Sequence, residues 1–134
     1  MSNSPGHQKW PNHKVREERV THPMQVRVNG EVIAKSDDVI KVDEDEQPTR
    51  YYFPRGDVPV ARLSRSQKTT QCPFKGTAHY FSLLAGGQNY PDAVWSYEQP
   101  FNEHVALRDR LAFDSEKIPG IVIEPAVTAP AGSA

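Results

Sequence analysis

Residues 69–81 read TTQCPFKGTAHYF, and this stretch joins a turn to a strand. A proline and a glycine bound the turn and a lysine lies within it, a composition that is typical of turns. Residues 77–84 then alternate in the manner of a strand, with aromatic side chains on both faces. The stretch therefore predicts a strand preceded by a turn that carries Cys72 and Lys75.

On both sides of this stretch, short runs rich in apolar and β-branched side chains predict further strands. These runs are residues 24–28, 31–34, 39–42, 50–53, 58–63, 93–97 and 121–123. Asn29 and Gly30 predict a hairpin between the first two runs, because both residues tolerate a positive φ. A two-residue turn would place Ile33 on the Val26 face, whereas a three-residue loop would place Val32 there. The sequence leaves both registers open.

One segment near the C-terminus has helical periodicity. Asn102 is an acceptable N-cap for it. Its apolar side chains fall within one stripe at about 100° per residue, and they are Phe101, Val105, Leu107 and Leu111. Many short strands with one short helix predict a mostly-β fold built from small antiparallel sheets.

The length of 134 residues allows one domain. We predict an N-terminal arm at residues 1–22, a single mostly-β domain at 23–124 and a flexible C-terminal tail at 125–134. The polar composition of the arm predicts disorder, whereas Trp10 favours docking on its own domain or on a neighbouring subunit. Docking on a neighbour is compatible with a homodimer.

The charge pattern excludes some partners. The formal net charge is −1, so no global field draws the chain to nucleic acid or to a membrane surface. No apolar run approaches about 18 residues and no signal-peptide pattern is present, so we expect a cytoplasmic protein. Residues 37–46 are nevertheless acidic and residues 50–75 basic. This contrast is typical of solvated strand faces, and the alternative is a basic rim around an anion-binding pocket.

Cys72 is the single cysteine, which excludes an intrachain disulfide and a cysteine-rich zinc site. A nearby cation or histidine would lower the pKa of its thiol and make it a nucleophile. The alternative is a small buried hydrophobe, because free cysteine is among the most buried residue types. Cys72 is therefore a candidate catalytic residue, while we expect no cofactor and no bound metal.

Two further patterns have an ordinary and a functional interpretation. Lys75 and Gly76 could meet an anion at the turn, although the phosphate-binding patterns GxxxxGKS/T and GxGxxG are absent. The same pair is also common in plain hairpin turns. Asp43 and Asp45 have the spacing of a magnesium-binding pair in nucleotidyl transfer, and a solvated acidic loop is the alternative.

Several motifs together resemble the bacterial domain of unknown function 427 family. They are YYFPRGDV at residues 51–58, TTQCPFKG at 69–76 and AVWSYE at 93–98, with shorter matches at 26–32 and 111–113. Residues 5–11 further resemble an N-terminal extension found in one branch of that family. The resemblance covers about residues 24–124. It implies a compact mostly-β domain similar to the β-tent group.

The resemblance also implies a kind of site. Many β-tent relatives carry a cysteine-ligated zinc, which a chain with one cysteine cannot supply. Some relatives hold small ligands in an aromatic pocket between sheets. A nucleotidyltransferase label is loosely attached to the family, and no residues of this sequence support it independently.

We therefore expect a pocket for a small anionic or planar metabolite. Aromatic rings would stack on the ligand, namely Tyr52, Trp95 and Tyr97. Arg55 and Lys75 would supply charge, with Cys72 and Asp57 nearby. The alternatives are an enzyme, through thiol chemistry or nucleotidyl transfer, and a protein-interaction module that uses the N-terminal arm.

Overall fold

A computed structural model describes residues 2–126 and confirms the mostly-β fold. Ten strands form three small antiparallel sheets within these residues. The strands are β1 (Val15–Arg19), β2 (Met24–Val28), β3 (Glu31–Ser36), β4 (Ile40–Glu44), β5 (Arg50–Tyr52), β6 (Leu63–Cys72), β7 (Gly76–Ala85), β8 (Gln88–Tyr97), β9 (Ala112–Phe113) and β10 (Ile121–Pro125). The helices are α1 (Pro5–Lys9) and three 3₁₀ helices, Arg55–Asp57, Val60–Arg62 and Asn102–Leu107.

The sheets enclose two hydrophobic cores. The strand orders are β1-β4-β5, β10-β2-β3 and β6-β7-β8-β9. The first core contains Val26, Phe53, Leu83, Val94 and Phe113, among other residues. The second core is smaller and contains Ile40, Val42, Tyr52, Trp95, Tyr97 and Leu107. Strand β8 contributes to both cores, with Ala93 and Val94 in the first and Trp95 and Tyr97 in the second.

The β2–β3 hairpin settles the register that the sequence leaves open. Val28 pairs with Glu31 around a two-residue turn, with φ values of 48° at Asn29 and 91° at Gly30. A bulge then shifts the pairing, so that Val26 lies opposite Ala34 and not opposite Ile33. Both of those β3 residues are buried as a result.

The N-terminal arm forms structure where composition predicts disorder. Helix α1 docks on the turn between β6 and β7, where the Gly6 amide donates to the Pro73 carbonyl at 2.7 Å. Ser4 caps α1 by accepting from the His7 amide, and the Ser4 hydroxyl also donates to Pro73. Strand β1 pairs along its whole length with β4. These backbone hydrogen bonds join the arm to the domain, and side-chain composition gives no indication of them.

The helix predicted near the C-terminus is not confirmed as an α-helix. Residues Asn102–Leu107 form a 3₁₀ helix, interrupted at His104, whose φ of −126° is not helical. The buried His104 ring contacts His7 at 2.8 Å and Glu17 at 2.5 Å, so contacts with the arm hold this residue out of the helical conformation. The one α-helix of residues 2–126 is α1, at the other end of the chain.

The region after β5 also differs from the prediction. The sequence predicts a strand over residues 58–63, but Val60–Arg62 is a 3₁₀ helix. The strand begins at Leu63 and continues to Cys72. All of its residues are exposed or half-buried, so it lacks the apolar alternation by which a strand is recognised.

Strand β10 includes the first residue of the predicted C-terminal tail. Pro125 pairs with Met24, and the amide of Ala126 donates to Pro23 at 2.9 Å. Residues 127–134 of that tail lie outside the described residues. None of the described helices is long and apolar enough to cross a membrane.

Candidate functional site

A cleft of about 460 Å³ opens beside the second core. Four aromatic residues line it, namely Tyr52, Tyr80, Trp95 and Tyr97. Four cations and three carboxylates surround the rings, which gives the lining a formal charge of +1. The cations are Arg50, Lys68, Lys75 and Lys117, and the carboxylates are Glu44, Asp92 and Asp114.

Three of the four cations, Arg50, Lys68 and Lys75, lie over aromatic rings of the cleft. The Arg50 guanidinium lies 5.0 Å from the centre of the Trp95 ring. The Lys68 ammonium lies 4.6 Å from the centre of the Tyr80 ring. Such contacts contribute about 0.5–1 kcal/mol where exposed and about 2 kcal/mol where water is excluded. The rings therefore hold the positive charges in place.

Arg50 has a donor without an acceptor. Its Nη1 atom is buried and has no hydrogen-bond partner among the described residues. The Asp114 carboxylate oxygen lies 4.0 Å away, which is within ion-pair range but too far for a hydrogen bond. A buried unsatisfied donor costs about 1–3 kcal/mol, and more when it is charged. A ligand oxygen that reached this atom would remove that cost.

The rings themselves offer little surface for stacking. Tyr52, Trp95 and Tyr97 are 1%, 9% and 7% exposed. The Trp95 indole N–H donates to the Tyr52 hydroxyl at 3.1 Å, which fixes both rings. Burial raises the pKa of the Tyr52 and Tyr97 hydroxyls above their ordinary value, so both stay protonated. These rings act mainly as the floor of the cleft.

Lys75 enters the cleft from the β6–β7 turn and is almost completely buried. Its ammonium forms an ion pair with Glu44 and lies 5.9 Å from the centre of the Tyr97 ring. The second Glu44 oxygen accepts from His13 of the arm at 2.9 Å. Burial alone would raise the pKa of Glu44, but the hydrogen bonds from Lys75 and His13 outweigh it and hold that pKa below its ordinary value. Glu44 is therefore a carboxylate at neutral pH.

The structure brings together four of the seven residues predicted for the ligand site. Tyr52, Lys75, Trp95 and Tyr97 all line the cleft. Arg55 and Asp57 do not line it.

Arg55 and Asp57 make structural contacts elsewhere. Arg55 donates to the Asp109 carbonyl at 3.0 Å and to the Ser96 hydroxyl at 2.9 Å, and it also forms an ion pair with Glu98. Asp57 accepts from the Ser36 hydroxyl at 2.6 Å. These contacts engage the Arg55 guanidinium and the Asp57 carboxylate within the protein.

Cys72 lies beside the cleft and not in it. The side chain is half-buried and packs against the second core. Cys72 pairs with Gly76 at the base of the β6–β7 turn. Within residues 2–126 no histidine or lysine donates a hydrogen bond to its sulfur, so the contacts that would mark an activated thiol are not present there.

The two aspartates considered for magnesium binding have separate partners. Asp43 accepts from the Thr49 hydroxyl at 2.5 Å, whereas Asp45 accepts from the Lys14 amide at 2.8 Å. Throughout the described part of the chain, no three side chains of the metal-binding types are grouped to hold an ion.

Arg50 and Lys68 are cleft residues that the sequence reasoning missed. Both belong to the basic stretch at residues 50–75, but the prediction selected Arg55 from it. Strand periodicity could have found Arg50, because it lies two residues before Tyr52 in β5 and therefore on the same face. Strand periodicity could not have indicated Lys68, because this residue lies near a register shift in the exposed strand β6.

Comparison with known proteins agrees with the motifs in the sequence. No curated protein matches the chain. The sequence profile of domain of unknown function DUF427 matches residues 16–124, which include β2 to β9 and all but one residue each of β1 and β10. That match covers most of the chain, so the protein is a member of the DUF427 family.

Proposed function

We propose that this protein binds a small anion in the cleft beside the second core. The observation that carries the proposal is the buried Nη1 atom of Arg50, which has no hydrogen-bond acceptor among the described residues. The guanidinium is held over Trp95 and its nearest carboxylate is too distant to satisfy it. A phosphate or carboxylate oxygen is the acceptor that a guanidinium binds most strongly.

The surrounding residues support an anionic ligand over a merely planar one. A planar ligand needs a free ring face, but the main floor rings are less than a tenth exposed. Cations already lie over Trp95 and Tyr80. An anion would instead meet the Lys68 ammonium and the Tyr97 hydroxyl, which burial keeps protonated as a donor.

Substitution of Arg50 tests the proposal against a matched control. We expect phosphate or a phosphate monoester to shift the Trp95 indole signal in NMR spectra of the wild-type protein. Arg50→Gln should weaken that binding about tenfold or more, since a hydrogen bond to a charged group contributes about 1.5–3 kcal/mol. Arg55→Gln removes a guanidinium outside the cleft and should leave the affinity unchanged. Equal losses in the two variants, or no binding by the wild type, would refute the proposal.

A second candidate function is protein binding through the N-terminal arm. Trp10 is 48% exposed and lies against Phe74, with a ring separation of 6.1 Å. An exposed tryptophan next to a second aromatic residue is typical of interaction surfaces. Trp10→Ser should then abolish binding to a partner or lower the oligomeric mass of the protein. If sedimentation shows a monomer for both proteins, the homodimer version of this function is excluded.

The enzyme alternatives stay predictions. Neither Cys72 nor the pair Asp43 and Asp45 has contacts that argue for catalysis. The β-tent arrangement, the bacterial source and the cytoplasmic location are supported by the motif resemblance and by composition, and they also stay predictions.

A further inference from the structure

The Glu44 carboxylate joins the N-terminal arm to the anion cleft. One oxygen forms the ion pair with Lys75, whose side chain is only 7% exposed. The other accepts from the His13 ring, 2.9 Å away. The His13 ring stacks on Phe74 with a centroid separation of 4.3 Å and an interplanar angle of 17°, so its position is fixed from a second side. A titratable group of the arm thus shares one carboxylate with a cation of the cleft.

We infer that His13 is a positioning residue for the anion site and acts on Lys75 through Glu44. This inference rests on the proposed function. A neutral His13 leaves Lys75 as the only full positive charge on Glu44, so the carboxylate holds the ammonium firmly. A protonated His13 supplies a second positive charge to the same carboxylate. Lys75 is then held less firmly, and its charge becomes available to an anion in the cleft.

The other charged groups around His13 do not replace Glu44 in this role. They are Asp45, Glu46, Lys9, Lys14 and the neighbouring His7. Asp45 already accepts from the Lys14 amide and forms an ion pair with Arg16. Among the described residues, Glu44 is the carboxylate that contacts the His13 ring. Protonation of His13 should therefore raise the affinity of the cleft for anions.

Sulfate is a suitable probe because, unlike phosphate, it remains a dianion across this range. We would titrate the protein with sulfate at several pH values between about pH 5 and pH 8 and follow the indole signal of Trp95. Comparison with Trp10→Phe, which lacks the other indole, assigns that signal. The wild-type protein should bind sulfate about fivefold more tightly at the acidic end, which is the lower end of usual coupling between sites. His13→Gln keeps an N–H donor for Glu44 but cannot become charged, so its affinity should not depend on pH.

Two further variants separate charge from docking. His13→Phe retains the stacking on Phe74 and should behave like His13→Gln, because neither side chain gains a proton. In a Glu44→Gln background, the His13→Gln substitution should have no further effect on the pH profile. If His13→Gln keeps the pH dependence of the wild type, another group causes it and the inference is overturned.

A measurement without ligand separates this inference from the proposed function. By reciprocity, Lys75→Met should raise the pKa of His13, because Glu44 then has one less cation to share. NMR titration of the His13 ring reads that change directly. An unchanged His13 pKa would overturn the inference, whatever sulfate does. A raised His13 pKa with no binding of sulfate or phosphate would instead support the link through Glu44 and refute the proposed anion site.

Discussion

Gly6→Ala is the sharpest test of how the arm docks. A β-carbon at Gly6 would lie 2.6 Å from the carbonyl oxygen of Pro73 and 2.8 Å from a ring carbon of Phe74. The first contact is with backbone, which cannot rotate away as a side chain can. The amide of Gly6 also donates to that carbonyl at 2.7 Å, so moving the helix to relieve the clash would break this hydrogen bond.

The expected magnitude combines opposing terms. Alanine is favoured over glycine in a helix by about 0.8–1 kcal/mol, which would stabilise the variant. Loss of the backbone hydrogen bond costs about 1 kcal/mol, and overpacking a close contact costs about 1–3 kcal/mol. The destabilising terms exceed the gain, so we expect a net loss of about 1–3 kcal/mol in the free energy of unfolding. Helix propensity alone predicts the opposite sign.

Gly56→Ala provides the matched control. Gly56 lies in the 3₁₀ helix Arg55–Asp57, and a β-carbon there would have no atom within 4 Å. Its substitution should be neutral or stabilise by up to about 1 kcal/mol. Urea denaturation measures both variants, and limited proteolysis reports whether the arm has separated from the domain. A Gly6→Ala protein as stable as Gly56→Ala, with a protected arm, would show that the docking described here is wrong.

Three other predictions concern single side chains. Burial and the neighbouring His104 lower the pKa of His7, so the folded protein binds this proton less readily than the unfolded chain. His7 therefore contributes to the free energy of unfolding above about pH 6.5, and this contribution is lost as the pH falls below that value. His7→Gln should flatten this part of the curve of unfolding free energy against pH. Tyr52→Phe leaves the buried Trp95 N–H without an acceptor and should cost about 1–3 kcal/mol in urea denaturation, whereas an unchanged midpoint would contradict this hydrogen bond. Hydrogen bonds from Arg27 lower the pKa of Glu124 to about 2. NMR should therefore show the Glu124 carboxyl group still ionised at about pH 3.5, where an ordinary glutamate is mostly protonated.

Local sequence signals predicted much of the fold. The Asn29 and Gly30 pair gave the hairpin turn, because two consecutive positive φ values favour these residue types. Strand β7 was predicted because it alternates strongly. Strand β6 was missed because its pairing with β7 is made by the backbone, while its side chains remain largely in solvent.

The candidate site was predictable only in part. Aromatic content and local charge indicated Tyr52, Trp95, Tyr97 and Lys75, which strands β5 and β8 and the β6–β7 turn bring together. Arg55 was predicted for the site from its local charge, but Ser96 in β8 and Glu98 just after it engage its guanidinium from about 40 residues away in the sequence. No local pattern encodes such a contact. The bond between His13 and Glu44 was missed for the same reason, since it joins residues 31 positions apart across the arm.

The pairing of β2 with β10 has a consequence for synthesis on the ribosome. Gln25 donates to Glu124 across 99 positions of sequence. The edge of β2 that pairs with β10 can therefore form its hydrogen bonds only after nearly the whole chain has been translated. The hairpins β6-β7 and β7-β8 are local and can pair as soon as they emerge. We expect chains truncated before β10 to protect the β7 and β8 amides from hydrogen exchange, while the β2 amides that face β10 remain labile. Early protection of the β2 edge would exclude this order of assembly.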